Sequence, residues 1–279
     1  MQFYQVFGIE KTIDIFSAAG FHSIDFNTDL PEYHSDEHDE QFYKELRAYG
    51  ESRGIEFLQA HAPFSSSFID VEQSEQRFQE IVKSIQISSW LGTKIIVVHP
   101  CNHLQYLIEE NQKEIYEYNL AFYRRLIPYA KEAGVKIAIE NIPKTLTATA
   151  EGLIKLYDEL NDPVFVVCFD VGHAHRIGEN PAEMIRKLGN RIQCTHIHDN
   201  MGDSDSHLLP YQGTIDWENV LKAFAEVQYT GDFSYEAGAF VKYVPVEMRA
   251  TSAKYMAEIG RHLIARFESY KDEMLKGEN

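Results

Sequence analysis

Seven residues able to ligate a cation or move a proton each close a short apolar run. His61 follows IEFLQA, His99 follows KIIVV, Glu140 follows VKIAI and Asp170 follows VFVVCF. His196 and His198 end IQCTHIH, and Glu236 ends DFSYE. Two further clusters fall in the connections, Asp170-Val-Gly-His173-Ala-His175 and Asp205-Ser-His207. Carboxylate oxygens mixed with imidazole nitrogens suit Zn²⁺ or Mn²⁺ first, with Co²⁺ and Fe²⁺ as alternatives; Mg²⁺ sites use fewer histidines. Any one of these residues has a bland explanation. A strand-end carboxyl is often a hydrogen-bonded structural group, and a lone histidine such as His99 a satisfied partner. His103, His175 and His198 fit that bland class best. The series as a whole does not, because so many buried charges need paired or metal partners.

The elements that must position these residues are short β-branched runs alternating with helical patterns. The strand candidates are 22–27, 55–61, 94–100, 135–141, 164–170, 192–199 and 232–238, preceded by an opening strand QFYQVFG. Phe78, Ile81, Val82 and Ile85 repeat at helical spacing, with Gly92 placed to end that helix. Trp217, Val220, Leu221 and Phe224 do the same, with Asp216 as N-cap. Eight β–α units in this order predict parallel strands with helical crossovers, and so one α/β domain over 1–279, a (β/α)₈ TIM barrel. In such a barrel all strand ends converge on one face, where active sites are built. A doubly wound nucleotide-binding sheet lacks its glycine-rich signal here.

Composition narrows the partners. With 26 Lys+Arg against 43 Asp+Glu, the net charge of −17 argues against a broad nucleic-acid contact, which draws on basic residues. No run approaches the roughly 20 apolar residues of a membrane span, and the N-terminal residues do not have the pattern of a secretory signal. The three cysteines, Cys101, Cys168 and Cys194, fit no metal or disulfide spacing; Cys168 and Cys194 read as core residues and the set as reduced, which predicts a cytoplasmic protein. No GxSxG elbow suggests a serine hydrolase. The acidic stretch from Glu32 to Glu40 reads as a solvated loop.

The series HAPF (61–64), VVHP (97–100), IAIEN (137–141), FDVGH (169–173), HIHDN (196–200), DSH (205–207) and SYEAG (234–238) resembles the xylose isomerase-like barrel superfamily. That group includes sugar and sugar-phosphate isomerases and epimerases, inosose-processing enzymes and abasic-site endonucleases of the endonuclease IV type. By resemblance to the ketose 3-epimerases, Glu140, Asp170, His196 and Glu236 would hold one ion, Glu140 and Glu236 would form the acid/base pair, and His173 would help hold substrate. By resemblance to the endonucleases, His61 and His99 would serve another ion, and His173, Asp205 and His207 a third. All nine ligand types are present. Two departures stand out. Gly202 occupies the place of an arginine common in the epimerases, and Phe64 that of a tyrosine in the endonucleases.

The expectation is a metal-dependent isomerase or epimerase acting on a small sugar, sugar phosphate or inosose through an enediolate. The rivals are a three-zinc phosphodiesterase acting on abasic DNA, and a keto-inositol dehydratase using related chemistry. A barrel that keeps its pocket only to bind a sugar is the non-enzymatic rival. The resemblance leaves the oligomeric state open, a homo-oligomer included, since barrels of this superfamily often pair.

Overall fold

The structure, a computed structural model, describes residues 3–30, 38–64 and 70–277. In chain order its elements begin with α1 (Tyr4–Phe7), α2 (Ile9–Ala19), β1 (Ser23–Asn27), α3 (Glu40–Ser52) and β2 (Glu56–His61). They continue with α4 (Val71–Leu91), β3 (Ile95–Val98), α5 (Glu109–Ala133), β4 (Lys136–Glu140), α6 (Ala150–Leu160) and β5 (Phe165–Asp170). Then come α7 (Val171–Arg176), α8 (Pro181–Leu188), β6 (Ile192–Ile197), α9 (Trp217–Glu226), β7 (Ser234–Tyr235), α10 (Ala239–Lys242) and α11 (Arg249–Gly277). Most of the acidic stretch, residues 32–37, lies outside the described residues.

Two compact units are discernible. One comprises Ser23–Ser52 and Glu56–Cys168; the other comprises Met1–His22, Arg53–Ile55 and Phe169–Asn279. In the first, β1 to β5 pair in chain order and all parallel. Their connections are helices that cover the apolar strands, so β3 and β4 read as nearly continuous hydrophobic runs. Helix α4 starts where Asp70 Oδ1 accepts from Gln73 N at 2.9 Å and stops at Gly92, whose φ of +78° suits the left-handed C-cap. Phe78, Ile81 and Ile85 are its buried stripe, as their spacing predicts.

In the second unit β6 pairs parallel with β7. Helix α9 begins at the predicted cap, Asp216 Oδ1 accepting from Asn219 N at 3.2 Å, and buries Trp217, Val220, Leu221 and Phe224. The opening segment corrects the sequence reading. Tyr4–Phe7 is a helical turn, not a strand, with Phe7 N donating to Phe3 O and Gly8 N to Tyr4 O, both at 2.9 Å. Its aromatic residues suggested a strand, but aromatic β-propensity reflects packing context rather than backbone preference. Here Phe3 lies edge-on to Phe16, ring centroids 4.8 Å apart, within a cluster of aliphatic residues from α2 and α11. Seven strands are therefore found among the described residues, and each predicted strand from 22–27 onward is present, shortened at its ends.

Candidate metal centre

His61 and Glu140 are the last residues of β2 and β4, and His99 follows β3. Parallel pairing in register carries all three to the same end of the sheet. Thr28 N and Oγ1 donate to His61 O at 2.9 and 2.8 Å, and Thr147 Oγ1 donates to Glu140 O at 2.7 Å, which fixes the backbone beneath the side chains. His61 Nε2 lies 3.1 Å from His99 Nε2 and 3.6 Å from Glu140 Oε2, while His99 Nε2 lies 3.0 Å from that oxygen. On the other edge of the ring, His61 Nδ1 is 2.7 Å from Ala62 O. A carbonyl can only accept, so Nδ1 carries the hydrogen and, in the neutral ring, Nε2 points a lone pair at its neighbours. Phe64 packs against both rings, with centroids 4.7 Å from His61 and 5.2 Å from His99.

The other unit contains a second group. Asp170 caps α7, its Oδ1 accepting from His173 N at 2.6 Å. His196 Nδ1 lies 3.4 Å from Glu236 Oε2 and 3.9 Å from Asp170 Oδ2. Asp170 and His196 are buried, whereas the Glu236 side chain is partly open to solvent. Asp205 Oδ2 lies 3.3 Å from His173 Nε2 and 3.4 Å from His207 Nε2, with Arg176 NH1 at 3.5 Å.

His207 repeats the device seen at His61. Its Nδ1 donates to Glu236 O at 2.7 Å, so Nε2 faces Asp205. Its φ of +46° is unusual for a residue other than glycine, and the surrounding contacts hold it there. Burial would lower the His207 pKa, but the Asp205 hydrogen bond and the charges of Glu236 and Asp205 outweigh it and push the value up to about 9. Burial would likewise raise Asp205, yet its contacts with His173 and His207 hold it well below the ordinary carboxylate range.

These groups fit a cation. A metal-ligating histidine usually donates its other ring N–H to a backbone carbonyl or carboxylate, as His61 does to Ala62 O and His207 to Glu236 O. Tetrahedral ligands about 2.0–2.1 Å from Zn²⁺ stand roughly 3.3 Å apart, the spacing found here. Among the described residues, further clusters able to hold an ion include Asp170, His173 and His198, and His198, Asp205 and His207.

The loop carrying Asp205 and His207 depends on residues that their types alone did not reveal. Asp199 and Leu208 exchange backbone hydrogen bonds of 2.8 and 2.9 Å, closing the loop at its base. The buried Asp199 carboxyl accepts from Trp217 Nε1 at 2.9 Å, Tyr211 N at 3.0 Å and Ile215 N at 3.3 Å. Trp217 is thus both helix packing and a loop anchor. Asn200 Nδ2 donates to Gly172 O at 2.8 Å, and its Oδ1 accepts from Gly202 N at 2.8 Å. His198, set aside with His103 and His175 in the sequence reading, is fully buried with Nε2 3.0 Å from Asp170 Oδ1. The available signal was its two-residue spacing from His196, since such residues face the same side of a strand. His175 instead meets Thr214 Oγ1 at 2.8 Å, and His103 packs on Tyr118. Cys101, Cys168 and Cys194 are buried free thiols.

Parallel strands, helical crossovers and histidine–carboxylate groups at strand ends define a class of α/β barrel proteins. The chain belongs to the xylose isomerase-like TIM barrel family, whose model matches residues 13–259. An uncharacterised protein of Methanocaldococcus jannaschii is 31% identical over 63% of this chain, which spans 62% of that protein's length. The inosose dehydratase of Clostridium beijerinckii is 24% identical, with 89% of each chain covered. Among solved structures, a D-tagatose 3-epimerase-like protein superposes with a TM-score of 0.73 at 24% identity, covering 92% of this chain and 91% of its own. The IolI protein, solved with a bound zinc atom, gives a TM-score of 0.74 at 22% identity over 94% and 93%. No helix among the described residues is long and apolar enough to cross a membrane.

Proposed function

We propose that the protein is a divalent-metal-dependent isomerase or epimerase of a small sugar or polyol-derived ketone, working as one domain. Glu140, Asp170, His196 and Glu236 would hold the ion. The observation that carries this reading is the convergence of buried His196 on buried Asp170 and half-buried Glu236, at 3.9 and 3.4 Å, at the ends of strands. Glu140 and Asp170 are the last residues of β4 and β5, which supports a role for both carboxylates. Zn²⁺ or Mn²⁺ suits the donor set best, and Co²⁺, Fe²⁺ or Mg²⁺ would be weaker matches. When bound, the ion would supply Lewis acidity toward a carbonyl and its neighbouring hydroxyl.

In this scheme one of Glu140 and Glu236 removes the proton from the carbon beside the carbonyl, giving an enediolate. The other returns a proton to complete isomerisation or epimerisation. His173 orients a substrate hydroxyl. The epimerase-like and dehydratase relatives support a sugar or inosose substrate for this chemistry.

Glu236→Gln keeps the shape but removes the base, so kcat for ketose epimerisation should fall by about 10²–10⁴ with the fold intact. Undiminished turnover by that variant, or by metal-stripped protein, would sink the reading.

A second reading rests on a specific observation: His61 and His99, and His173, Asp205 and His207, form donor groups of their own. Occupied by additional zinc ions, they would favour phosphodiester hydrolysis. Metal analysis separates the two, one ion per chain for the first and three for the second.

A further inference from the structure

Gly172 and His198 form a pair that neither residue announces alone. A Cβ at Gly172 would overlap the His198 ring, so the imidazole fills the space that any other residue's side chain would need. Asn200, donating to Gly172 O, closes this slot. Inside it, His198 Nε2 lies 3.0 Å from Asp170 Oδ1 and 3.2 Å from Oδ2. Carboxylate oxygens accept, so Nε2 carries the hydrogen. His198 Nδ1 is buried with no hydrogen-bond partner among the described residues, which leaves Nε2 as the ring's polar anchor. The ring face stacks on His207, with centroids 4.3 Å apart and planes 17° apart.

Two imidazoles that share a cation converge on it, each within its own ring plane. Stacked rings do not, and His198 has no carbonyl partner on Nδ1 among the described residues to hold the hydrogen there and free Nε2, as His61 and His207 have. We infer that His198 is a positioning residue rather than a ligand. Its hydrogen bond fixes how Asp170 presents its oxygens, while its face sets the ring plane of His207. Asp170 and His207 are thereby held by one side chain. The inference rests on the proposed role of Asp170 as an ion ligand.

The test compares the full-length wild type with His198→Leu, His198→Gln and Gly172→Ala. Zn²⁺ affinity is read by chelator competition, and the positions of Asp170 and His207 by crystal structures. Loss of a supporting group of this kind typically weakens metal binding about 10–100-fold. His198→Leu should show that loss, and Gly172→Ala should reproduce it by evicting the ring. His198→Gln, whose amide nitrogen reaches the position of Nε2, should recover most of the affinity. A leucine variant that binds as tightly as wild type would overturn the inference, as would a glutamine variant no better than leucine. If His198→Leu fails to fold, the other two variants decide by the same measurements. If wild type takes up no ion, the metal reading fails on its own, and the crystal structures decide this one. Asp170 and His207 displaced in the variants support it; unmoved, they refute it.

Discussion

His61 and Glu140 take their places from strands, whereas Asp205 and His207 take theirs from a loop. At the strand-built group, hydrogen bonds from Thr28 and Thr147 reach the backbone of the ligand-bearing residues themselves. That backbone is already fixed by parallel pairing. At the loop-built group backbone pairing is confined to the Asp199–Leu208 bridge, and the rest of the work falls to side chains: the buried Asp199 carboxyl and Asn200 bind the chain around the 199–208 loop. His207 even sits in the left-handed region, a conformation kept only where the surroundings over-determine it. Similar donor spacing is thus reached by two routes, and the second concentrates the cost in a few replaceable contacts.

Asp199→Ala should separate the groups most sharply. It leaves the Trp217, Tyr211 and Ile215 donors without their acceptor. At roughly 1–2 kcal/mol for each orphaned donor, about 3–6 kcal/mol of stability should go. Denaturant titration measures this. Hydrogen exchange should show 200–208 opening while β2 to β4 keep their protection. Equal loss of protection in both places would break the contrast.

A smaller effect concerns pH. In ion-free protein His207, with its pKa pushed up to about 9, is protonated at neutral pH. A cation taken up there must expel that proton, so affinity at this group should rise nearly tenfold per pH unit well below 9 and level off near it, roughly 50-fold from pH 7 to 9. Calorimetry in buffers of different ionisation enthalpy counts the proton released. The sign for folding is opposite. Because the folded value lies above the unfolded value of 6.5, the stabilisation in ion-free protein is complete below 6.5 and lost as pH rises through about 9. Stability of ion-free protein that rises over this window would contradict the placement of His207.

The contrast also explains what the sequence could disclose. Strand-borne candidates were legible because β-branched runs such as IIVV and FVVCF carry their own register, and the residue closing each run is plain. The helix-borne stripes were legible for the same reason. Loop-borne support was not. Asp199 reads as one more acidic residue until Trp217, eighteen positions later, returns to it. His198 reads as a satisfied histidine until Gly172 supplies its slot. The aromatic opening segment misled in the other direction, since the packing of Phe3 on Phe16 favours a helical turn there.

The smallest expected effect falls on the strand-built group. Thr28→Val keeps the side-chain shape but removes the hydroxyl that donates to His61 O and lies 2.9 Å from Ser84 Oγ. His61 O keeps the Thr28 N–H as a donor, so its acceptor is not orphaned. The cost should be about 1 kcal/mol, the net worth of one hydrogen bond, and a few degrees in Tm. His61 should not move, because its ring is anchored through Nδ1 to Ala62 O and its backbone through pairing with β3. Ion affinity at His61 and His99 should therefore stay within about threefold of wild type, the scale of a perturbation below 1 kcal/mol. If ladder pairing is what positions this group, the stability loss and the affinity must separate in this way. A loss of ion affinity that matched the loss of stability would show that side-chain support, not the strands, holds both groups in place.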